Sequence, residues 1–526
     1  MTEDRQVTRN AAVFSSATIL SRILGLVRTA LIAGTFGTSL AASAFFFAYS
    51  IPNMLRRLSG EGALGGAFIP VFTEEMEKRG RLAGLRLANS VGLVVSLVLI
   101  GLILLMTLVL QSIGLLFSSS QKTILVVKLT QLMLPYLFFI ALAGFGMAVL
   151  NSLNHFFVPA ISPAIHNVIL IGALLFLCPL MGAPNKEKMI YGLAIGVLVG
   201  GAIQLGILYF PLKQKQYSLK AGAHLRAEGL KKVSRLFLPG MFSLAVTQIN
   251  TVMDKLLAFF VKGHEASAPS ELFYGNLIVE LPLAVFGISL GVAVFPSLSR
   301  LKASGRMQDF KTTLAYTLRQ SLAVALPASV GLILLRHPII GVIYQRRAFG
   351  HAAAEAVAPV LMCYAFGLFA YTTIKIIVPA FLSLQDAKTP MRVGLGVTAM
   401  NFVLNCFAVF VMKRVWGLAL STSLCAATQT ALLLYILRGK IGALGGRQIA
   451  RSLIKIALAT LAMGTVVLIA LKAAMEITPG TGAPARIVQL FLPVSCGLIS
   501  YLVFCHFLKV REVREVLAAL AKREKQ

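Results

Sequence analysis

The chain has 526 residues, of which 57% are hydrophobic and only 13% are charged. Its mean hydropathy of +0.83 exceeds what a soluble protein can bury in its core, so the composition predicts a polytopic membrane protein. The formal net charge of +30 is also found in proteins that bind nucleic acids. Here, however, the lysines and arginines lie mostly in short breaks between apolar runs, so we expect no nucleic-acid partner.

Apolar runs of about 20 residues, long enough for a helix to cross about 30 Å of hydrocarbon, occur about fourteen times. They cover residues 11–34, 38–58, 85–110, 124–150, 158–181, 189–212, 236–261, 272–297, 313–335, 353–382, 391–412, 415–437, 449–474 and 484–508. The segments between them are too short for an independent soluble domain. The sequence therefore predicts an all-α polytopic membrane protein with about 14 transmembrane helices.

Basic residues are concentrated in alternate breaks between the predicted spans. One set of breaks contains the basic clusters at residues 5–9, 78–86, 213–235, 300–311, 438–451 and 509–525. The opposite breaks are poorer in charge, with an exception at Arg336, Arg346 and Arg347. Because basic loops stay in the cytoplasm, we predict that both termini are cytoplasmic. The C-terminal stretch REVREVLAALAKREK forms either a basic amphipathic helix on the membrane surface or a solvated end.

The sequence does not contain the common signatures of metal, disulfide or nucleotide chemistry. Its six cysteines have no CxxC spacing, and its seven histidines form no cluster of ligands. No stretch matches the G-x-x-x-x-G-K-S/T loop that holds nucleotide phosphates. We therefore expect no metal or organic cofactor, no ATP hydrolysis by this chain and no enzymatic activity.

The first span, SSATILSRILGLVRTALIAGTFG from Ser15 to Gly37, carries two arginines in an apolar segment. At about 100° per residue, Arg22 and Arg28 share an arc of about 140° with small and hydroxyl-bearing residues, whereas leucines and isoleucines cover the rest of the helix. An arginine near the bilayer centre costs about 2.5–3.5 kcal/mol, so this stripe cannot face lipid. We expect the stripe to line a wet cavity between helices.

The residues alone leave two interpretations of Arg22 and Arg28. Both could be structural, paired with carboxylates of neighbouring helices or extended toward the cytoplasmic surface. However, the clear acids within the spans are Asp254 and Glu280, which are fewer than the cations. The surplus of positive charge favours a site for an anionic substrate, because the planar guanidinium group suits phosphate.

Short motifs recur along the chain in the same order and at a similar spacing. Pro70 in GGAFIPVF matches Pro296 in GVAVFPSL, and Pro159 in LNSLNHFFVP matches Pro390 in FLSLQDAKTP. Parallel repeats of this kind are a transporter architecture with the substrate site between the halves. We predict a six-helix half at 1–212, a basic cytoplasmic linker at 213–235, a second six-helix half at 236–440, and two extra helices with a basic tail at 441–526.

Several stretches of the chain resemble one protein family. They are SRILGLVR, AFFFAYSIPNMLRRLSGEGALGGAFIPVF (Ala44–Phe72), PYLFFIALAGFGMAVLNSLNHFFVPAISP (Pro135–Pro163) and KIIVPAFLSLQDAKTP (Lys375–Pro390). They are similar to the MurJ/MviN family of bacterial lipid II flippases, which belongs to a superfamily that also contains multidrug exporters and polysaccharide-repeat flippases. The resemblance extends over nearly the whole chain, including the number of predicted helices.

The resemblance implies transport of the undecaprenyl-diphosphate-linked peptidoglycan precursor from the cytoplasmic to the periplasmic leaflet of a bacterial inner membrane. It implies an anionic lipid-linked glycan, membrane lipids and the cell-wall synthesis machinery as partners. In that family the first helix and the PNxLRR segment bring arginines to a central cavity that receives the diphosphate, and the two extra helices form a groove for the lipid tail. The candidate substrate-binding residues are thus Arg22, Arg28, Asn53, Arg56, Glu61, Glu280 and Lys375.

Three positions depart from the family pattern. Thr29 and Ser43 stand where acids are common, and Leu277 follows Asn276 where an Asp-Arg pair is usual. An arginine expected in the cavity is therefore missing. A flippase for another polyprenyl-linked glycan is the alternative that these departures leave open.

Two further functions would have different sequence features. An exporter of cationic drugs should need an acidic cavity, whereas this chain has surplus arginine. An intramembrane glycosyl- or acyltransferase should have an acid or a histidine near the membrane surface within a group of catalytic partners. His155, His166 and Asp386 are the candidates, and they lack such a group.

Some members of the family are thought to use a cation site in the second half. Asp254, Asn401, Asn405 and Ser421 supply oxygen atoms of the hard type that Na⁺ prefers. Alternatively, Asp254 pairs with Lys255 or a cavity arginine, and the asparagines form interhelical hydrogen bonds. The membrane potential, worth about 2.3 kcal/mol per charge per 100 mV, is a separate driving force.

Overall fold

The computed structural model describes residues 3–56, 63–117, 120–153, 155, 157–215, 228–480 and 482–514. All regular secondary structure in these ranges is helical, as the composition predicts. Helices are the expected result because hydrocarbon offers no partners for backbone polar groups, and a helix satisfies these groups within one segment.

The helices follow one another with mostly short connections. The first seven are α1 (Glu3–Phe36), α2 (Leu40–Arg56), α3 (Ala63–Arg79), α4 (Arg81–Leu116), α5 (Gln121–Ser152), α6 (Phe157–Leu180) and α7 (Lys186–Gln214). The next eight are α8 (Glu228–Ala258), α9 (Ala268–Ala303), α10 (Met307–Leu334), α11 (Arg336–Ile343), α12 (His351–Phe366), α13 (Leu368–Ser383), α14 (Lys388–Met412) and α15 (Val415–Ile441). The last two are α16 (Gly446–Ile477) and α17 (Ala483–Phe507).

Ten helices of the described chain are long and apolar enough to cross a membrane, or eleven if α12 and α13, which meet at a bend of 41°, form one span. Each predicted apolar run overlaps a helix or a helix pair and extends at most three described residues beyond it, while residues 57 and 58 lie outside the described ranges. On α4, Leu97, Leu104 and Leu108 are more than half exposed. Such a face is stable against lipid, which supports a membrane environment for this fold.

The chain divides into two compact units, of which the first contains residues Met1–Leu256 and Arg346–Ala348. Its central helix is α5, which packs on α2, α4 and α7, while α6 packs on α1 and α7. Phe68 and Phe72 of α3 are fully buried against Phe145 of α5, with the rings of Phe68 and Phe145 4.9 Å apart. This core holds α3, α4, α5 and α7 together.

The second unit contains residues Leu257–Gln345 and Phe349–Gln526. Helix α13 packs on α9, α10 and α15, and α14 packs on α15. Phe310, Phe381 and Leu433 are fully buried in the core that these helices share. The same unit contains α16 and α17, which pack on each other and on α10 and α11.

Some local geometries occur twice along the chain. Gly37 after α1 and Gly263 after α8 both have positive φ, at 62° and 82°, a conformation that favours glycine. Short π-helical turns occur at Ala173–Leu177 in α6 and Phe407–Met412 in α14, and a third lies at Leu283–Ile288 in α9. Helices α1 and α8 thus end in similar turns, and α6 and α14 share one kind of irregularity with α9.

The ends of α5 and α13 are also alike. The backbone N–H of His155 donates to the carbonyl of Leu150 at 2.9 Å, and that of Asp386 donates to the carbonyl of Phe381 at 3.0 Å. His155 and Asp386 hold the same place in the LNSLNHFFVP and FLSLQDAKTP motifs, and so do Leu150 and Phe381. The two motifs therefore share a helix-ending hydrogen bond of the Schellman type.

Polar bonds hold α17 against the rest of the second unit along its length. Arg486 Nη1 donates to the carbonyl of Gln345 at 2.8 Å near the start of α17. The hydroxyl of Tyr501, farther along α17, donates to the carbonyl of Ala323 in α10. Because these bonds lie far apart on one helix, they fix both its position and its tilt.

A buried ion pair follows the end of α17. Arg319 Nε of α10 lies 3.2 Å from Glu512 Oε1, to which Ser452 Oγ of α16 donates at 2.9 Å. Glu512 is only 2% exposed. The start of the C-terminal stretch is therefore packed rather than solvated, whereas the residues from 515 onward lie outside the described ranges.

Candidate functional site

Arg28 lies on α1 at the contact with α6. Its side chain is half-buried, and Nη1 donates to Asn167 Oδ1 at 2.8 Å. The Nε atom is buried and has no hydrogen-bond partner among the described protein groups. An amide oxygen carries no net charge, so this bond orients the guanidinium group without cancelling its charge.

Asn167 joins α6 to α1 at two points. Besides accepting from Arg28, it donates from Nδ2 to the carbonyl of Ser21 at 2.9 Å and lies 3.4 Å from the Ser21 hydroxyl. The side chain is buried, at 7% exposure. A buried amide needs partners for both its oxygen and its nitrogen, and here α1 supplies both.

Aromatic residues pack beside this pair. His166, next to Asn167 on α6, stacks on Tyr136 with ring centroids 5.4 Å apart, and Tyr136 lies 6.0 Å from Tyr49. Tyr49 lies on α2, the helix that ends at Arg56. Contacts through α6, α5 and α2 therefore connect Asn167, the partner of Arg28, to the helix that carries Arg56.

Arg56 ends α2 and is oriented in a similar way. Its Nε donates to Asn53 Oδ1 at 3.0 Å, one helical turn earlier. Both side chains are half-buried. The PNxLRR motif thus places the neutral amide of Asn53 beside its first arginine, Arg56. Glu61, another predicted site residue, lies outside the described residues.

Arg22 differs from Arg28 in its surroundings. Its side chain is exposed, whereas Arg28 is half-buried and bonded to α6. The two arginines were predicted to share one polar stripe, and the structure distinguishes an exposed arginine from one held in place. Arg28 is therefore the better-defined part of the candidate site.

Two departures from the family pattern fall on packed positions. Thr29 is fully buried, and its hydroxyl donates to the carbonyl of Gly25 in the same helix at 2.9 Å. Ser43 on α2 is also fully buried. A carboxylate at either position would be desolvated, so the small hydroxyl residues suit this packing.

The second unit contains two further predicted site residues. Glu280 on α9 is exposed and accepts from Asn276 Nδ2 at 3.1 Å. Lys375 on α13 has an exposed side chain. Its backbone lies against Gly291 of α9, where an added Cβ would be 2.1 Å from the carbonyl oxygen of Lys375. Only glycine fits at this contact, which fixes the backbone of Lys375 relative to α9.

Three of the predicted cation ligands form a closed ring of hydrogen bonds. Asn405 Nδ2 donates to Asn401 Oδ1 at 2.8 Å, Asn401 Nδ2 lies 3.4 Å from Ser421 Oγ, and Ser421 donates to Asn405 Oδ1. All three side chains are at most 4% exposed. Asp254 is a buried residue of α8 in the first unit. The ring is complete without Asp254, so a cation would have to replace bonds already present.

Asp386 and His155, two of the candidate catalytic residues, lie in surroundings that do not suit catalysis. The carboxylate of Asp386 accepts from the backbone N–H of Thr389 at 3.0 Å and from Lys440 Nζ at 2.6 Å. These donors lower the pKa of Asp386 to about 2, which suits a helix cap and excludes a proton donor near neutral pH. Burial lowers the pKa of His155, with a smaller contribution from Lys215. Within the described ranges, no three His, Cys, Asp or Glu residues are placed to hold a metal ion.

Sequence reasoning missed Asn167 and the Arg319–Glu512 pair. The only signal for Asn167 was a single amide in an apolar run, which is typical of ordinary helix–helix hydrogen bonds. Arg319 and Glu512 lie far apart in the sequence, so no local pattern connects them. Only the packing of the helices brings these partners together.

The chain is similar to known proteins over most of its length. A family model described as lipid II flippase MurJ matches residues 32–485. A Vibrio cholerae serotype O1 protein named probable lipid II flippase MurJ is 33% identical over 457 residues, covering 82% of this chain and 83% of that protein. A Burkholderia cenocepacia protein named lipid II flippase MurJ is 31% identical over 433 residues, covering 81% and 82%, respectively.

Solved structures show the same relationship. A lipid II flippase MurJ in an inward closed conformation has a TM-score of 0.74 with this structure at 27% identity, covering 94% of this chain and 99% of that chain. A multidrug resistance MATE family transporter of the MOP superfamily, in an inward-facing conformation, has a TM-score of 0.68 at 15% identity, covering 82% and 98%. The second likeness shows a shared fold alone.

Proposed function

Because the chain belongs to the lipid II flippase MurJ family, whose model matches residues 32–485, we propose that it moves lipid II across a bacterial inner membrane. The substrate is an undecaprenyl-diphosphate-linked peptidoglycan precursor, and it passes from the cytoplasmic to the periplasmic leaflet. The chain acts as a transporter and not as an enzyme. Membrane lipids surround it, and the cell-wall synthesis machinery is its proposed partner.

The bond between Arg28 and Asn167 is the observation that carries this proposal. It holds a half-buried guanidinium group by a neutral partner, so the full positive charge stays available to an anion. In an apolar environment, a diphosphate is a strong partner for such a group, because charge-assisted bonds are stronger than neutral ones. Arg56, held by Asn53, and the exposed Arg22 are the additional proposed contacts.

The proposed architecture has about 14 spans arranged as two six-helix halves, 1–212 and 236–440, with a linker at 213–235 and two extra helices within 441–526. The recurring glycine turns, helix-ending bonds and π-helical turns support this division. Parallel halves of this kind change access by rocking against each other. Both termini are then cytoplasmic, and the two extra helices provide the surface for the lipid tail.

The second unit contributes the remaining residues of the proposed mechanism. Glu280 and Lys375 have exposed side chains on packed helices, which suits contact with polar parts of the substrate. The ring of Asn401, Asn405 and Ser421 is the proposed place in this unit for Na⁺. The membrane potential is the alternative driving force, because it acts on any mobile arginine charge.

Another polyprenyl-linked glycan is the second candidate substrate. The observation that favours it is the neutral surroundings of Glu280, where Asn276 donates to the carboxylate and Leu277 follows. An arginine is usual at this place in the family. Its absence removes a charge that would otherwise face the anionic substrate.

Complementation of a bacterium depleted of its own lipid II flippase tests the proposal. We expect the wild-type chain to restore growth and Arg28→Ala to fail at equal membrane levels. Arg306→Ala is the matched control, because Arg306 is exposed and paired with Asp309 at 2.7 Å. Failure of well-expressed wild type in its native host would favour the other glycan, and growth with Arg28→Ala equal to wild type would exclude the anion site.

A further inference from the structure

We propose that Asn167 is a positioning residue that sets the orientation and the charge of Arg28 for an anionic polyprenyl diphosphate. This inference rests on the proposed function and extends it to a residue that does not itself have to touch the substrate. It concerns how tightly the diphosphate is bound rather than whether the protein folds.

Asn167 bonds to α1 at two points. The amide of Asn167 accepts from Arg28 at 2.8 Å and donates to Ser21 at 2.9 Å. Ser21 and Arg28 are two helical turns apart, so they lie about 10.5 Å apart along one face of α1. One side chain of α6 therefore holds both ends of a two-turn stretch of α1. The guanidinium group of Arg28 is held through its terminal nitrogen Nη1.

The amide of Asn167 suits both contacts. It accepts from the guanidinium group through its oxygen and donates to the carbonyl through its nitrogen, so one short side chain serves both partners from two atoms without adding charge. An aspartate would accept from Arg28 equally well, but its carboxylate would cancel the arginine charge and compete with a diphosphate. Asn167 thus gives rigidity while it preserves the positive charge.

A glycine of α1 faces this amide. Gly25 lies between Ser21 and Arg28 on the same face, and a Cβ added there would be 3.7 Å from Asn167 Nδ2. The amide therefore packs closely against α1, at ordinary contact distance. With Asn167 only 7% exposed, its two hydrogen bonds are shielded from water and hold their geometry.

Affinity measurements on the purified full-length protein test this role, with lipid II and undecaprenyl diphosphate as the two probes. We expect Asn167→Ala to weaken binding of both probes by about tenfold or more, since a hydrogen bond to a charged group is worth about 1.5–3 kcal/mol. Asn167→Asp keeps the bond but should also weaken binding, because it removes net positive charge. Asn89→Ala, a change of a buried amide on α4, is the control and should bind as wild type.

A double-mutant cycle separates positioning from a merely structural role. In an Arg28→Ala background, Asn167→Ala should change the affinity less than twofold, because its effect acts through Arg28. Equal effects in both backgrounds, or unchanged affinity in Asn167→Ala, would overturn the inference. If wild type binds undecaprenyl diphosphate but not lipid II, the glycan assignment fails while the inference is still tested. Binding of neither probe by wild type rejects both.

Discussion

Arg28 in the first unit and Arg319 in the second are both partly buried arginines on membrane helices, but they have different partners. Arg28 is held by the neutral amide of Asn167 at 2.8 Å. Arg319 lies 3.2 Å from the carboxylate of Glu512, which is 2% exposed. The bond to Asn167 leaves the charge of the first arginine uncancelled, as the proposed anion site requires, whereas the second arginine is paired with a carboxylate within the protein.

This difference separates a binding role from a structural one. A buried cation without a counter-charge is costly in hydrocarbon and is kept where it serves a function. A buried ion pair, in contrast, fixes the position of the elements that supply it, here α10, α16 and the segment after α17. The hydrogen-bond partner, rather than the burial of the arginine, indicates which role applies.

The largest effect on stability is expected from Arg319→Ala. It leaves the Glu512 carboxylate buried and unpaired, which should cost about 3–5 kcal/mol of unfolding free energy. Thermal unfolding of the detergent-solubilised protein measures this loss. The double variant Arg319→Met with Glu512→Leu should recover most of it, because apolar residues of similar volume remove the charge as well.

Arg306→Ala is the surface control for this prediction. Arg306 pairs with Asp309 at 2.7 Å, but its side chain is 65% exposed, so its loss should change the stability by about 0–1 kcal/mol. Arg28→Ala should lie between the control and Arg319→Ala, at about 1–3 kcal/mol, because it leaves the buried oxygen of Asn167 without its donor but leaves no charge unpaired. A loss with Arg28→Ala as large as that with Arg319→Ala would break the distinction between the two arginines.

The neutral ring of Asn401, Asn405 and Ser421 should have an effect on stability of intermediate size. If Na⁺ binds there, replacing choline by Na⁺ should stabilise the wild type, by about 2.7 kcal/mol when Na⁺ reaches about 100 times its dissociation constant. Asn405→Leu should remove this response. Equal unfolding midpoints in Na⁺ and choline for wild type would assign the ring a structural role only.

The smallest effect on stability is expected from changes at Asp386, an acid that lies outside the membrane spans and is paired with Lys440. Its pKa is lowered to about 2 by Lys440 and Thr389, so its contribution to stability is complete above the ordinary pKa of 3.8 and is lost as the pH falls through 2. Asp386→Asn should destabilise the protein by about 0.2–1 kcal/mol at pH 7. Unfolding midpoints should show the same difference at pH 5 and a smaller one near pH 2.5.

Lys440→Gln is the matched variant for the Asp386 prediction. It removes the donor instead of the acceptor, so its stability difference from wild type should follow the same pH dependence. A difference that grows as the pH falls would show that the Asp386–Lys440 pair does not supply this stability.

The long apolar helices and their approximate bounds could be predicted from hydropathy, because a helix satisfies the backbone polar groups of an apolar run in lipid. Helices α3 (Ala63–Arg79) and α11 (Arg336–Ile343) were not predicted, because they lie between the apolar runs. The arginine surplus on α1 and α2 was likewise visible in the sequence. The break between α12 and α13 at Gly367 was not predicted, since the residues on both sides of this glycine are apolar and hydropathy shows one continuous run at 353–382. Its cause lies in packing, which hydropathy does not report.

The partners of the arginines could not be predicted. Nothing local distinguishes Asn167 from Asn401, yet Asn167 bonds to an arginine and Asn401 joins a neutral ring. The C-terminal stretch was predicted as amphipathic or solvated, but Glu512 is buried against α10 and α16. These outcomes depend on contacts between residues distant in sequence, which a single sequence does not contain.

Transfer of lipid II between the leaflets of reconstituted vesicles tests the central claim most directly. The rate should be compared at equal protein levels for wild type, Arg28→Ala and the Arg319→Met with Glu512→Leu double variant. The account predicts transport by wild type and by the double variant, and at least about tenfold slower transport by Arg28→Ala, from the loss of a charge-assisted bond. Transport by Arg28→Ala at the wild-type rate would contradict it.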